Sequence, residues 1–331
     1  MENLDMNRRG FIKKATAALF INAVNSAKPA GAEAPEQSLR PPQRPPDIET
    51  AGTAAREAQK MEFYEEFAGQ YQSWSELTGP LAEQYFAELD QVVANGSDVV
   101  AGDGRIEFEF LRAALALPNF APAAAEEIRR LLPALGIVES RMRSGEVNEG
   151  SGAAGILQFM GKTWDEHGRG DILDIRNQVA ATDSLLEQKR LTLINQCQDE
   201  LDAIKDIFFA GDDEAFQRDF YAPVILSCFN AGGGNVRNVV QGFFFEFTDR
   251  SKVEQYLIAH GINPTGRDVF ALMVQLEEQK NWDDQYGPQA REYVLKVWAA
   301  REALNVGLSD EQRAHLLGEL PDNSLPVAVS E

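Results

Sequence analysis

Glu139 stands where a short apolar segment meets a glycine-rich one. Ala-Leu-Gly-Ile-Val at 134–138 precedes it, and residues 143–155 contain four glycines, at positions 145, 150, 152 and 155. A carboxyl group held against apolar side chains is costly to ionise, so its pKa rises and it stays protonated near neutral pH. A glycosidic oxygen needs such a proton donor in order to leave. By itself this setting marks a candidate among 52 acidic residues, and a surface carboxylate is the plain alternative.

Three short blocks follow one another along the chain. They are Glu139-Ser140, then Gly-Ala-Ala-Gly-Ile-Leu-Gln at 152–158, and then Phe-Asn-Ala-Gly at 229–232. This order resembles the lytic transglycosylases with a soluble-lytic-transglycosylase (SLT) catalytic domain, which has a lysozyme-like fold. That family carries a Glu-Ser pair, a Gly-Leu-Met-Gln block in a small-residue loop, and an Ala-Tyr-Asn-Ala-Gly block on a later helix. The resemblance covers about residues 130–300.

The resemblance implies a role for each matching residue. Glu139 would be the acid and base, and Ser140 would support it or the substrate. Gln158 and the backbone near Gly155 would line the groove that holds the sugars, and Asn230 would hydrogen-bond near the catalytic centre. Glycines in the loop also let a sugar chain approach the backbone, because no Cβ intervenes. A plain flexible loop and a helix-capping Asn230 are the structural alternatives.

A tyrosine late in the family's domain corresponds to Tyr293, although Gln289 stands where the family has a glutamate. Tyr293 could orient the reacting sugar through its hydroxyl, and a half-buried structural aromatic is the alternative. Phe229 replaces the tyrosine of the last block, so that hydroxyl is absent or its contribution comes from Tyr293. The substrate-binding residues that the resemblance implies are Ser140, Gly155, Gln158, Phe229, Asn230 and Tyr293.

The activity implied by the resemblance is that of a lytic murein transglycosylase, a lyase of the peptidoglycan glycan strand. It would cleave the β-1,4 bond between N-acetylmuramic acid (MurNAc) and N-acetylglucosamine (GlcNAc) without water, leaving 1,6-anhydro-MurNAc ends. Glu139 would protonate the leaving oxygen and then take a proton from the muramyl 6-hydroxyl. No cofactor and no metal would be needed, and the partner would be the glycan strands of peptidoglycan.

Two other functions stay open. A hydrolytic muramidase of goose-type lysozyme character would need a second carboxylate roughly 5–10 Å from Glu139. Acidic residues near enough in sequence to supply it are Glu146, Glu149, Asp165 and Glu166. The departures at Phe229 and Gln289 would also suit a non-catalytic domain that binds peptidoglycan or serves an envelope complex as a scaffold.

The elements around these blocks are predicted to be helical, because apolar residues recur at three- and four-residue steps. One stripe runs from Met61 to Leu77, and Gly79-Pro80 predicts an interruption with Pro80 in the first turn of the next helix. Leu81, Tyr85, Leu89 and Val92 continue that stripe, which we interpret as core without a ligand, before a loop at 95–104. Further helices are expected near 105–117, 122–132, 133–139, 177–208, 220–245, 251–260, 266–279 and 287–304.

No segment alternates convincingly with period two, so the fold class is predicted to be all-α. The expected architecture is a lysozyme-like helical catalytic domain preceded by an additional helical region. The predicted N-terminal helical region spans 51–130, the catalytic domain 131–305 and a C-terminal tail 306–331. Cys197 and Cys228 could form a disulfide in an oxidising compartment, or stay as two buried thiols.

The first 32 residues are typical of an export signal. Arg8 and Arg9 precede Phe11 and a mildly apolar stretch, with a small-residue cleavage site that ends at Ala32, and this resembles a twin-arginine signal peptide. A linker rich in Pro, Ala, Glu and Gln follows at 33–50. The sequence therefore predicts a periplasmic protein. It names no envelope protein as a partner.

Charge and hydropathy exclude several kinds of partner. The chain has 31 basic and 52 acidic residues, for a net charge of −21, which repels nucleic acid and anionic lipid headgroups. No later run approaches the roughly 20 apolar residues of a membrane span. We therefore expect neither nucleic acid binding nor a membrane span.

Overall fold

The computed structural model describes residues 50–101, 115–143 and 145–309, and within them the chain is all-α, which confirms the predicted fold class. The helices are α1 (Thr50–Ala68), α2 (Trp74–Ala101), α3 (Pro122–Ser140), α4 (Gly161–His167), α5 (Ile175–Phe209), α6 (Asp213–Phe216), α7 (Ala222–Ala231), α8 (Gly233–Glu246), α9 (Arg250–Tyr256), α10 (Asp268–Lys280) and α11 (Pro288–Gly307). A π-helical turn (Gln217–Tyr221) precedes α7, and a 3-10 turn (Ile258–His260) follows α9.

Several predictions fall on other parts of the chain. The signal peptide at 1–32, nearly all of the linker at 33–50 and the tail beyond 309 lie outside the described residues. Residues 105–114 of the helix expected at 105–117 also lie outside them, and its last three residues are not helical. In the described part of the chain, no helix is long and apolar enough to cross a membrane.

The first helix interruption lies at residues 69–73 and not at Gly79-Pro80, so that prediction was wrong. Ser73 begins α2 with a capping box, in which its backbone N–H donates to the Glu76 carboxylate at 2.7 Å and the N–H of Glu76 donates back to the Ser73 hydroxyl at 3.4 Å. Pro80 is consequently inside α2. The loop expected at 95–104 is helical as far as Ala101, so that prediction was wrong for residues 95–101.

The predicted domain boundary at 130/131 falls inside one continuous helix. α3 runs from Pro122 to Ser140 through Pro133, and apolar residues on both sides of that proline are buried, including Ile128 and Leu135. The N-terminal region and the candidate catalytic region therefore share a rigid element. The helix expected at 220–245 is in turn two helices, because the chain breaks at Gly232, whose φ of +84° favours glycine.

α11 lies at the centre of the packing that builds the candidate site. α2 runs along it, and α3 and α7 pack against it as well. α2 and α11 approach so closely that a Cβ added at Gly307 would lie 2.1 Å from the Leu89 side chain. α1 is held by Tyr64, whose hydroxyl donates to Glu246 of α8 at 2.8 Å. The N-terminal helices are therefore packed onto the rest of the fold.

Cys197 and Cys228 are buried free thiols and do not form the disulfide that the sequence left open. Burial raises the pKa of the Cys197 thiol to about 12. The same cause raises the pKa of Cys228 well above its ordinary value. Both thiols therefore stay protonated and behave as small apolar side chains in the core.

Candidate active site

Glu139 lies in the last turn of α3, where the chain leaves the helix through two left-handed residues. Arg141 and Met142 have φ of 57° and 64°, and their backbone N–H groups donate to the carbonyls of Ile137 and Gly136. A Cβ at Gly136 would lie 2.7 Å from the Met142 sulfur and 2.8 Å from Ile156. The glycine thus lets the following loop pack directly on the helix, which fixes the turn that presents Glu139.

A cleft of about 330 Å³ opens beside Glu139, near the lower end of the range for small-molecule sites. Its walls come from segments far apart in sequence. α2, the end of α3, the end of α7 and the start of α11 contribute Leu81, Gln84, Tyr85, Glu88, Val138, Glu139, Arg141, Asn230, Gln289, Tyr293 and Lys296.

Glu139 and Tyr293 form a hydrogen-bonded pair in this cleft. The Tyr293 hydroxyl donates to Glu139 Oε1 at 2.6 Å. Burial raises the pKa of the Glu139 carboxyl to about 7, and the hydrogen bond from Tyr293 lowers it in part. Burial and the neighbouring carboxylate raise the pKa of Tyr293 well above its ordinary value, so its hydroxyl keeps its proton. The pair can hold a proton on Glu139 at neutral pH and stabilise the carboxylate once that proton has left.

Phe229 supports Tyr293 and is not itself among the residues that line the cleft. Its ring stacks on the Tyr293 ring at 6.4 Å and meets Phe159 edge-on at 6.2 Å, while Trp164 of α4 meets Phe159 at 5.6 Å. This row of aromatic rings holds the Tyr293 ring in place. The structure therefore places the hydroxyl at Glu139 on Tyr293, and Phe229 supplies packing and no polar contact.

The glycine-rich loop is ordered by a residue that nothing in the sequence pattern singled out. Gln178 of α5 is fully buried, and its Oε1 accepts from the Leu157 N–H at 2.8 Å. Gly155 has φ of +77°, and a Cβ there would lie 1.5 Å from Gln178 Nε2. The positive φ and the close packing against Gln178 account for a glycine at this position.

Gln158 and Ser140 do not line the cleft around Glu139. The Gln158 amide nitrogen donates to the Gly155 carbonyl at 2.8 Å, which keeps it within its own loop. Ser140 is buried, and its hydroxyl donates to the Gly136 carbonyl at 3.2 Å, one helical turn back. Of the two roles expected for Ser140, the structure favours support of the helix that carries Glu139 over contact with substrate. Groove contacts by Gly155 and Gln158 stay predictions.

Asn230 lies in the cleft with Glu139 and Tyr293, and its expected hydrogen bond near the catalytic centre stays a prediction. Gln289 lies there too. Gly232, and not Asn230, is the cap residue between α7 and α8, so the capping alternative does not hold for Asn230. Three functional candidates, the first and last of them 154 positions apart, are therefore brought to one place.

The contribution of α2 to this cleft was not among the sequence predictions. Leu81 and Tyr85 belong to a stripe that we interpreted as core, and both reach the cleft, together with Gln84 and Glu88. Tyr85 is buried, as the core interpretation predicted. That interpretation did not include its position in the wall of the cleft. The helical spacing 81, 84, 85 and 88 was a usable signal, since these positions share one face of a helix.

The four carboxylates proposed as hydrolytic bases do not line the cleft. Glu146 forms an ion pair with Arg143 at 3.0 Å. Glu149, Asp165 and Glu166 are exposed elsewhere on the surface. Within the described residues, the second carboxylate of the cleft is Glu88, which forms an ion pair with Arg141.

Comparison with known proteins adds no relative to this picture. No protein-family model, no curated protein and no solved structure matches this chain.

Proposed function

We propose that this protein is a peptidoglycan lytic transglycosylase with Glu139 as its acid and base. The observation that carries the proposal is the Glu139–Tyr293 pair in a cleft, with the pKa of Glu139 raised to about 7. A carboxyl group with that pKa is about half protonated at pH 7, so it can give a proton and later accept one. The expected lysozyme-like fold and the SLT blocks of the sequence agree with this proposal.

The reaction uses the same carboxyl group twice. Protonated Glu139 donates to the oxygen between MurNAc and GlcNAc, the bond from that oxygen to the muramyl C1 breaks, and the substrate's own N-acetyl group stabilises the positive carbon. The Glu139 carboxylate, held by the Tyr293 hydroxyl, then takes the proton of the muramyl 6-hydroxyl. The 6-oxygen bonds to C1, which closes the 1,6-anhydro ring and returns Glu139 to its acid form. Water does not enter.

Hydrolysis is the second candidate, because Glu88 gives the cleft another carboxylate. In that reaction Glu88 would activate a water or attack the sugar carbon, as the second carboxylate does in two-carboxylate glycosidases. Its ion pair with Arg141 occupies the Glu88 carboxylate, which favours a structural role. The two candidates therefore differ in what Glu88→Gln does.

The test is digestion of purified peptidoglycan with mass analysis of the fragments. The proposal expects anhydro ends, one water lighter than hydrolysed reducing ends, with activity lost in Glu139→Gln and kept in Glu88→Gln. Hydrolysed ends with loss of activity in Glu88→Gln would instead identify a muramidase. A wild type that binds peptidoglycan and releases no fragment would identify a non-catalytic binding or scaffold protein.

Export to the periplasm is proposed from the N-terminal sequence. Arg8→Lys combined with Arg9→Lys is expected to block twin-arginine transport, because that route reads the arginine pair. Cell fractionation would then find the precursor retained in the cytoplasm. Unchanged periplasmic accumulation of the double variant would refute the route.

A further inference from the structure

One face of α2 lies in the cleft even though this helix precedes the part of the chain that carries the SLT blocks. Residues 81, 84, 85 and 88 follow the spacing i, i+3, i+4 and i+7, which places them along one side of the helix. α2 is also held against both elements that carry the Glu139–Tyr293 pair. It packs along α11, and its Glu88 forms an ion pair with Arg141 directly after α3.

Tyr85 is the residue of this face whose geometry is best defined. Its side chain is 7% exposed, and the Arg141 guanidinium lies over its ring at 5.4 Å. The ring is therefore fixed by burial and by a cation–π contact. Within the described residues its hydroxyl has no hydrogen-bond partner, and the hydroxyl is not among the polar atoms shut away from solvent. A fixed phenol thus presents an unused donor to the cleft.

Burial, together with the two nearby carboxylates, keeps the Tyr85 hydroxyl protonated. Burial raises the pKa of Tyr85 to about 12, Arg141 lowers it in part, and the nearby Glu88 and Glu139 carboxylates raise it further. The proximity of Tyr85 also contributes to the raised pKa of Tyr293. Two phenols therefore lie close to the Glu139 carboxyl group. Tyr293 is committed to that carboxyl group by its hydrogen bond, and Tyr85 is not.

The remaining polar groups of the cleft favour a neutral ligand. Gln84, Asn230 and Gln289 present exposed carboxamides, and none of them has a hydrogen-bond partner within the described residues. The Lys296 amine in the same cleft is paired with Glu292 at 2.8 Å. Carboxamides and a phenol match the hydroxyl and N-acetyl groups of an uncharged sugar, which offer both donors and acceptors.

We propose that Tyr85 and Gln84 on this face of α2 form a sugar-binding subsite, in which Tyr85 is a substrate-binding residue that donates its hydroxyl to an oxygen of an N-acetylated sugar beside Glu139. Gln84 provides a second polar contact on the same wall. The proposal deepens the function proposed above and rests on it for the identity of the ligand. The N-terminal helices are then part of the active site as well as a platform.

The experiment compares Tyr85→Phe with a matched control, Tyr71→Phe. Tyr71 is another phenol of the N-terminal region whose hydroxyl makes no hydrogen bond within the described residues, and it does not line the cleft. We expect Tyr85→Phe to lower kcat/KM on peptidoglycan fragments about tenfold, as loss of one substrate hydrogen bond does, with an unchanged Tm. Tyr71→Phe should change kcat/KM less than about twofold.

Binding is measured separately from turnover, so that the two proposals can fail independently. The probe is a β-1,4-linked GlcNAc tetramer, titrated into Glu139→Gln with and without Tyr85→Phe, and the added substitution should raise Kd about tenfold. A wild type without activity but with binding that depends on Tyr85 would refute the transglycosylase and support the subsite. An active wild type whose kcat/KM and Kd are the same with Tyr85 or Phe refutes the subsite alone.

Gln84→Ala keeps the test decisive should Tyr85→Phe lower the Tm. Gln84 is exposed, so its truncation leaves the packing of α2 intact, and Glu83→Ala is its control on the same helix outside the cleft. The subsite predicts a Kd for the tetramer that rises several-fold in Gln84→Ala and stays constant in Glu83→Ala. Equal Kd values for these two variants overturn the proposal.

Discussion

The proton on Glu139 links the chemistry of the cleft to the stability of the whole protein. The pKa of this carboxyl group is about 7 in the folded chain, against an ordinary value of 4.5. At about 1.4 kcal/mol for each pH unit, the difference corresponds to about 3 kcal/mol. Burial is the main cause, so the cost is that of ionising a carboxyl group away from water. Glu139→Gln removes this cost while keeping an oxygen that can accept from Tyr293.

The direction of the effect follows from proton linkage. Because the folded pKa is raised, the folded state binds more protons than the unfolded state between pH 4.5 and about 7. The free energy of unfolding therefore falls as pH rises through this window. Below pH 4.5 Glu139 is protonated in both states and costs nothing. Above pH 7 the whole cost is present, so Glu139→Gln should be most stabilising in alkaline solution.

Urea unfolding of the wild type and Glu139→Gln at pH 5 and pH 8 measures this difference. We expect the variant to gain about 1 kcal/mol at pH 5 and about 3 kcal/mol at pH 8 relative to the wild type. Glu83→Gln, an exposed acid on α2, serves as the control and should change stability by less than about 0.5 kcal/mol at either pH. A gain for Glu139→Gln that is the same at both pH values would refute the argument from burial.

Three other substitutions test the neighbours of Glu139 and the scaffold. Tyr293→Phe removes the hydrogen bond that lowers the pKa of Glu139, so the alkaline limb of kcat/KM should move to higher pH, with activity reduced about tenfold or more. Gly155→Ala should lower the unfolding free energy by about 2 kcal/mol in urea, because φ is positive and the added Cβ overlaps a buried amide. Glu127→Ala should lower the unfolding free energy by about 3 kcal/mol in the same assay, since this buried carboxylate forms ion pairs with two arginines and accepts a hydrogen bond from an indole N–H.

Matched control substitutions separate these effects from a nonspecific loss of stability. Gly145→Ala changes a loop glycine with open space around it, so it should leave stability unchanged where Gly155→Ala does not. Glu126→Ala removes an exposed ion pair and should cost less than about 0.5 kcal/mol. An alkaline limb that stays in place in Tyr293→Phe would show that the hydrogen bond does not tune Glu139.

Short-range sequence patterns determined which segments are helical and where a catalytic residue could lie. Apolar periodicity predicted most of the helices, and the position of Glu139 after an apolar turn predicted a carboxyl group with a raised pKa. These features depend on residues within a few positions of each other, so they can be recognised without knowing what packs against them. The Ser73 capping box is equally local, and it marks the start of α2, whereas the Gly79-Pro80 pair lies inside the helix.

The tertiary structure decided which of the candidates meet. Tyr293 and Glu139 are 154 positions apart and share a hydrogen bond, while Ser140, the immediate neighbour of Glu139, points back into its own helix. Tyr85 became a cleft residue only because α2 packs along α11, and no spacing within α2 encodes that partner. Helical period tells which side chains share a face, but what that face contacts is a property of packing between distant segments.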